Sequence, residues 1–242
     1  MKSFLTDLQI FENKLNNHEH FSFARYGDGE MFIMQNRFID ILHKENGEFK
    51  FDPNEITDQK YRHDLINSFI NKSENYYIGV GCPCCVGINN FTWMKKASNQ
   101  NEKNLTWANL FVNSNYPYFL SKIVPLFNKY DVYIVCNQKA TLQNLSFKDK
   151  IKQDWRVGSD AWKNSHWIEE EIINKNITNS LFLFCAGPFS KILCYKLWNK
   201  NNKNTYLDLG SVLDPMLFGE KGFTREYLRG GSDLNKVCGW LQ

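Results

Sequence analysis

The sequence predicts an α/β fold with a mostly parallel sheet, on the strength of two features. Short runs along the chain are almost entirely apolar, and the segments between them carry apolar residues every three to four positions. A strand buried on both faces reads as a continuous apolar run, and helices crossing between parallel strands carry a single apolar stripe. With 242 residues and 43% hydrophobic content the chain can bury one sizeable core. No linker-like segment divides it, so one Rossmann-like domain over residues 1–242 is expected, its sheet flanked by helices.

The N-terminal stretch MKSFLTDLQIFENKL has isolated apolar residues at helical spacing, which makes it neither a signal peptide nor a membrane span. The first strand is the run from Phe21, which stops at Arg25-Tyr26-Gly27-Asp28-Gly29-Glu30. Four more strands are read at Tyr76 to Val80, Val132 to Cys136, Leu181 to Cys185 and Tyr206 to Leu209. Helical periodicity falls between them at Tyr61 to Ile70, Tyr118 to Phe127, His166 to Ile173 and Phe189 to Trp198. In sheets of this kind ligands bind beyond the carboxyl ends of the strands. Those ends lead here into Arg25 to Glu30, Gly81-Cys82-Pro83, Asn137, Ala186-Gly187-Pro188 and Gly210-Ser211.

Net charge of +3 excludes little, but the basic residues are scattered lysines among many asparagines rather than the clustered stripe that nucleic acid requires. No G-x-G-x-x-G follows a strand and no P-loop is present, which disfavours dinucleotide oxidoreductases and P-loop NTPases. Seven cysteines are an odd number, and Cys136, Cys185, Cys194 and Cys238 sit in apolar surroundings, so reduced thiols and a cytoplasmic location are expected. Cys82-Pro83-Cys84-Cys85 invites a zinc reading, but no second cysteine pair stands at matching spacing, and His63 and His166 are distant in sequence.

Three clusters carry the chemistry. In the first, Gly27 and Gly29 bracket Asp28, so the backbone can turn tightly, and the one-residue gap would let Asp28 and Glu30 converge on one divalent ion, Mn2+ or Mg2+. Arg25 adds a guanidinium suited to diphosphate oxygens. Read without context, Asp-Gly-Glu is also an ordinary surface turn. In the second, Gly187 and Pro188 open a helix straight after a buried strand, presenting backbone N–H groups and the positive end of the helix dipole to a phosphate or ribose. A plain strand-to-helix turn is the alternative. In the third, Asp208 lies inside an apolar strand, where an acid must be paired, hydrogen-bonded or functional. It is followed by Gly210, Ser211 and Asp214, and Arg225 further on offers a second phosphate ligand.

Taken together and in this order, Arg25-Tyr26-Gly27-Asp28-Gly29-Glu30, Ala186-Gly187-Pro188 and Asp208-Leu209-Gly210-Ser211 resemble the GT-D fold glycosyltransferases, a family first catalogued as a domain of unknown function. The resemblance spans nearly the whole chain. It implies that Asp28 and Glu30 form the Asp-x-Glu motif that binds a metal and, through it, a nucleotide-diphosphate sugar. Ser211 stands where the family often has a histidine. The expected activity is therefore a metal-dependent hexosyltransferase-like transfer from a UDP-sugar donor to a hydroxyl on a glycan or glycoconjugate. Arg25, Gly27, Gly187, Pro188, Ser211 and Arg225 would hold the donor, and Asp208 or Asp214 would act as base. Tyr26, Trp155 and Trp162 are candidates to stack on a base or sugar, although the core also needs such rings. Two rival readings remain: a metal-dependent phosphohydrolase acting on nucleotide-sugars, and a non-catalytic nucleotide-binding module.

Overall fold

Helix α1 (Phe4–Asn16) starts at Ser3, whose hydroxyl accepts the Thr6 N–H, and buries Phe4, Leu8, Phe11 and Leu15 along one stripe. It covers one face of a sheet whose strands follow in chain order: β1 (Ser22–Tyr26), the short β2 (Ile39–Asp40) and β3 (Lys50–Phe51), β4 (Tyr76–Val80), β5 (Leu105–Trp107), β6 (Val132–Asn137), β7 (Ile151–Val157), β8 (Leu181–Phe184) and β9 (Thr205–Asp208). This computed structural model describes residues 1–42 and 49–224. Seven strands form one sheet in the order β5-β4-β1-β9-β8-β6-β7. Every pairing within it is parallel. β2 and β3 make a separate antiparallel pair.

The remaining helices are α2 (Asp28–Met34), α3 (Ile56–Phe69), α4 (Pro83–Val86), α5 (Ile88–Ser98), α6 (Tyr116–Tyr118), α7 (Ala161–Asn164), α8 (Trp167–Asn174), α9 (Pro188–Lys200) and α10 (Asp214–Phe218). α6 runs on through a π-helical turn (Phe119–Ile123) and a 3-10 segment (Val124–Lys129). Strand residues alternate between two cores. Phe23, Tyr77, Val132, Ile134, Leu181, Leu183 and Leu207 pack with α1 and the 116–129 segment. Ala24, Tyr76, Ile78, Val135, Phe182, Phe184 and Tyr206 pack on the other face with α3, α8 and α9. Both faces of the central strands are thus covered, which is why those strands carry almost no polar residues.

The five expected strands and the four expected helices are all present, within a few residues at each end. β5 and β7 escaped the reading because their sequences are not apolar runs. β5 has only three residues, and β7 (Ile151–Val157) is an edge strand whose Lys152, Asp154 and Arg156 face solvent. The segment after Gly27 is also more regular than expected. Gly27 caps α2, so Asp28-Gly29-Glu30 is the first turn of a helix, not an open loop.

Candidate active site

At the carboxyl edge of the sheet, four charged side chains from four elements meet. β1 delivers Arg25, α2 delivers Glu30, α9 delivers Lys191 and β9 delivers Asp208. Lys191 Nζ lies 2.9 Å from Glu30 Oε1 and 3.2 Å from Asp208 Oδ2, and it also donates to the Gly187 carbonyl at 3.1 Å. Asp208, with no exposed surface, accepts the Arg25 backbone N–H at 2.9 Å and the Gly210 N–H at 3.1 Å. The Arg25 guanidinium donates to the carbonyls of Ala108 and Leu209. Two cations and two carboxylates are therefore held together in a buried, electrically balanced cluster.

Its protonation follows from competition between burial and pairing. Burial raises the Glu30 pKa, but the adjacent Lys191 ammonium and the Gly27 N–H outweigh it, so the carboxyl is held below its ordinary value. For Asp208 burial wins over Lys191 and Arg25, and the pKa is raised. Burial opposes the charge on Lys191, yet Asp208 and Glu30 overcome it and hold the ammonium more firmly than in water.

Beside this cluster a cavity of about 720 Å3 opens beyond the ends of β6, β7, β8 and β9. Asn137, Gly158, Gly187, Gly210, Ser211 and Asp214 are among the residues in its wall. Pockets for small ligands span roughly 300–1,000 Å3, so the space suits a nucleotide-sized molecule. Gly187 enters α9 with φ 56° and ψ −137°, a conformation that glycine alone adopts readily. Gly210, also at positive φ, has the Arg25 guanidinium 3.4 Å from where a Cβ would sit, which ties the cavity wall to the charged cluster.

Solved structures share this architecture. A structure described as "A New Glycosyltransferase (DUF1792) from Streptococcus sanguinis" matches with a TM-score of 0.59 and 17% identity, over 86% of this chain and 81% of that one. A second, described as "The highly conserved domain of unknown function 1792 has a distinct glycosyltransferase fold", matches with a TM-score of 0.56 and 18% identity, over 84% and 76% of the two chains. This chain has the DUF1792 fold. No family model and no curated protein matches its sequence.

Within the DUF1792 fold the sequence-derived candidates separate into two groups. Gly187, Ser211 and Asp214 line the cavity. Arg25, Gly27, Glu30 and Asp208 build the cluster beside it, and Pro188 occupies the buried first turn of α9. Arg225 and Cys238 lie outside the described residues. Tyr26, Trp155 and Trp162 are buried in the core and not placed to stack on a ligand. Tyr26 shares a hydrogen bond with Ser68, and Trp162 packs against Phe49, Phe51 and Tyr61.

The structure does not bring Asp28 and Glu30 together. In a helix, residues two apart point about 200° from one another. Asp28 is exposed, with Oδ1 accepting the Gly29 N–H at 2.9 Å, while Glu30 is buried with Oε1 on Lys191 and Oε2 on the Gly27 N–H. As arranged, the pair does not fit one shared divalent ion, because Glu30 would first have to leave Lys191.

Two residues were missed. Lys191 gave no distinct signal, since in the sequence it reads as a polar position beside an apolar stripe; only the fold buries every residue from Phe189 to Cys194, so that an ammonium there must meet carboxylates. Asn109, beyond β5, is buried, and among the described residues nothing hydrogen-bonds its amide oxygen or nitrogen. A group of this kind is one that a ligand or water satisfies. Nothing in the sequence distinguishes it among so many asparagines.

Two outcomes follow from this geometry. Gly187→Ala is expected to lose about 1–3 kcal/mol of stability through backbone strain alone, measurable by urea unfolding; an unchanged midpoint would show that the turn relaxes. Glu30→Gln is expected to destabilise at neutral pH by an amount that shrinks in acid. The folded-state pKa of Glu30 is lowered, so its contribution is present above its ordinary value of 4.5 and is lost as pH falls through the folded value. Asp208, raised, works in the opposite direction in both proteins. Unfolding curves at neutral pH and near pH 3 compare the two, and a gap that widens in acid would overturn the assignment.

Proposed function

We propose that this chain is a glycosyltransferase moving a sugar from a nucleotide-diphosphate donor, uridine-based, to a hydroxyl of a glycan or glycoconjugate. The observation that carries the reading is the nucleotide-sized cavity at the carboxyl ends of β6 to β9, in a fold whose solved examples are described as glycosyltransferases. The N-terminus of the 13-residue helix α9 opens at Gly187 in the wall, and its backbone N–H groups and dipole favour a diphosphate there. Lys139 and Lys221, also in the wall, add positive charge against that of the departing diphosphate.

Of the two candidate bases, Asp214 suits the role. It lines the cavity at the start of α10, whereas Asp208 is committed to Lys191, to the Arg25 N–H and to the Gly210 N–H. Asp214 would take the acceptor hydroxyl proton as the oxygen attacks the anomeric carbon, and Asp208 would hold the cluster that shapes the wall. Asp28 and Glu30 do not converge as arranged, so the chain's own groups carry this transfer.

The test is donor turnover with and without an acceptor mixture, each in Mn2+ and in chelator. Slow UDP release that becomes sugar transfer on adding acceptor supports the reading. Hydrolysis indifferent to acceptor selects a phosphohydrolase, and binding without turnover selects a nucleotide-binding module.

A further inference from the structure

The turn after β4 gathers three thiols at the same edge of the sheet, away from the cavity wall. Cys82, two residues beyond the strand, is extended and buried and precedes the short helix α4. One turn of helix then returns the chain, with the N–H groups of Cys85 and Val86 both donating to the Cys82 carbonyl at 3.0 Å. Gly81 permits this fold-back, since a Cβ there would meet Val86 Cγ1 at 2.5 Å. The sulfurs of Cys82, Cys84 and Cys85 consequently lie within 4.8 Å of one another, with Cys82 and Cys84 2.9 Å apart. Cys82 is buried, while Cys84 and Cys85 reach solvent.

We propose that Cys82, Cys84 and Cys85 bind one Zn2+ through three thiolates. Tetrahedral zinc with bonds of about 2.3 Å sets its sulfurs roughly 3.8 Å apart, inside the range that these three already span. Only small side-chain rotations close the site, and the backbone turn is formed in advance. Each thiol releases its proton to solvent on binding, so the complex carries one negative charge and leaves the fourth position, on the exposed side, to a neutral ligand such as water. No distant histidine is required, which answers the objection that the sequence supplies no fourth ligand. Nor does the site share residues with the charged cluster or with the cavity, so it stands or falls separately from the transferase reading.

The experiment uses the full chain, reduced, with Zn2+ titrated against a chromophoric chelator and Co2+ as a spectroscopic stand-in. The expected result is one equivalent of Zn2+ per chain, a sulfur-to-cobalt charge-transfer band with Co2+, and a melting temperature that rises with Zn2+. Because Cys82 is buried and its loss could unfold the protein, the variant is Cys84→Ser/Cys85→Ser, checked for folding by circular dichroism. Its affinity should fall at least about 100-fold. Cys185→Ser is the control and should bind as the wild type does. Uptake below one equivalent, equal affinity in the double variant, or a cobalt spectrum without the sulfur band would overturn the site.

Discussion

Lys191→Met is expected to destabilise the protein by about 3–5 kcal/mol, enough to unfold a marginal domain, because it strands two buried carboxylates. In the native protein Nζ serves Glu30, Asp208 and the Gly187 carbonyl at once, and Lys191 itself is only 4% exposed. Met preserves most of the side-chain volume, so a loss of this size reports the missing charge rather than a cavity. Combining it with Glu30→Gln removes one of the two orphaned anions and should restore part of the stability. The double-mutant cycle then gives a coupling of the size expected for groups in direct contact. If Lys191→Met melts within a degree or two of the wild type, the cluster contributes little and Asp208 must be neutral in the fold.

That cluster also shows what the sequence makes legible and what it conceals. The strands β4, β6, β8 and β9 are visible because each is buried on both faces and has no room for polar residues. Asp208 stands out for the same reason, as an acid in a run where none is tolerated unpaired. Its partner is hidden, because Lys191 comes from a helix whose other residues read as an ordinary apolar stripe, and only the packing of α9 on β1 and β9 brings the two together. The carboxylates at Asp28 and Glu30 are conspicuous as types, but their directions depend on whether the backbone turns or winds. Glycines on either side of Asp28 suggest a turn. The capping of α2 by Gly27, with the Glu30 side chain reaching back to its N–H, decides for a helix and sends the acids to opposite sides. The cavity is legible only as strand ends, since its wall is assembled from the turns that follow four strands, from Leu42 and from the 214–221 segment, which are distant in sequence.

Ser211→Trp is expected to weaken UDP binding by at least about 100-fold, close to 3 kcal/mol, with little change in melting temperature. Ser211 sits in the cavity wall just beyond β9 and is partly exposed, so an indole there can enter the open space without displacing core residues. Calorimetry measures the loss, and a normal affinity would place the donor elsewhere. Asp214→Asn separates binding from chemistry at the same wall, since it keeps the shape of the side chain and removes its basicity. Donor affinity should be nearly preserved while turnover falls by a factor of roughly 100 to 10,000. Asp28→Asn completes the comparison, because Asp28 is exposed on α2 and is not part of the wall. Its loss can weaken UDP binding only through an ion that bridges from α2 to the diphosphate, and then only in Mn2+ and not in chelator. Equal affinities for this variant and the wild type in both buffers would leave donor recognition to the cavity wall and the N-terminus of α9. A selective loss in Mn2+ would mean that Asp28 carries an ion into the site.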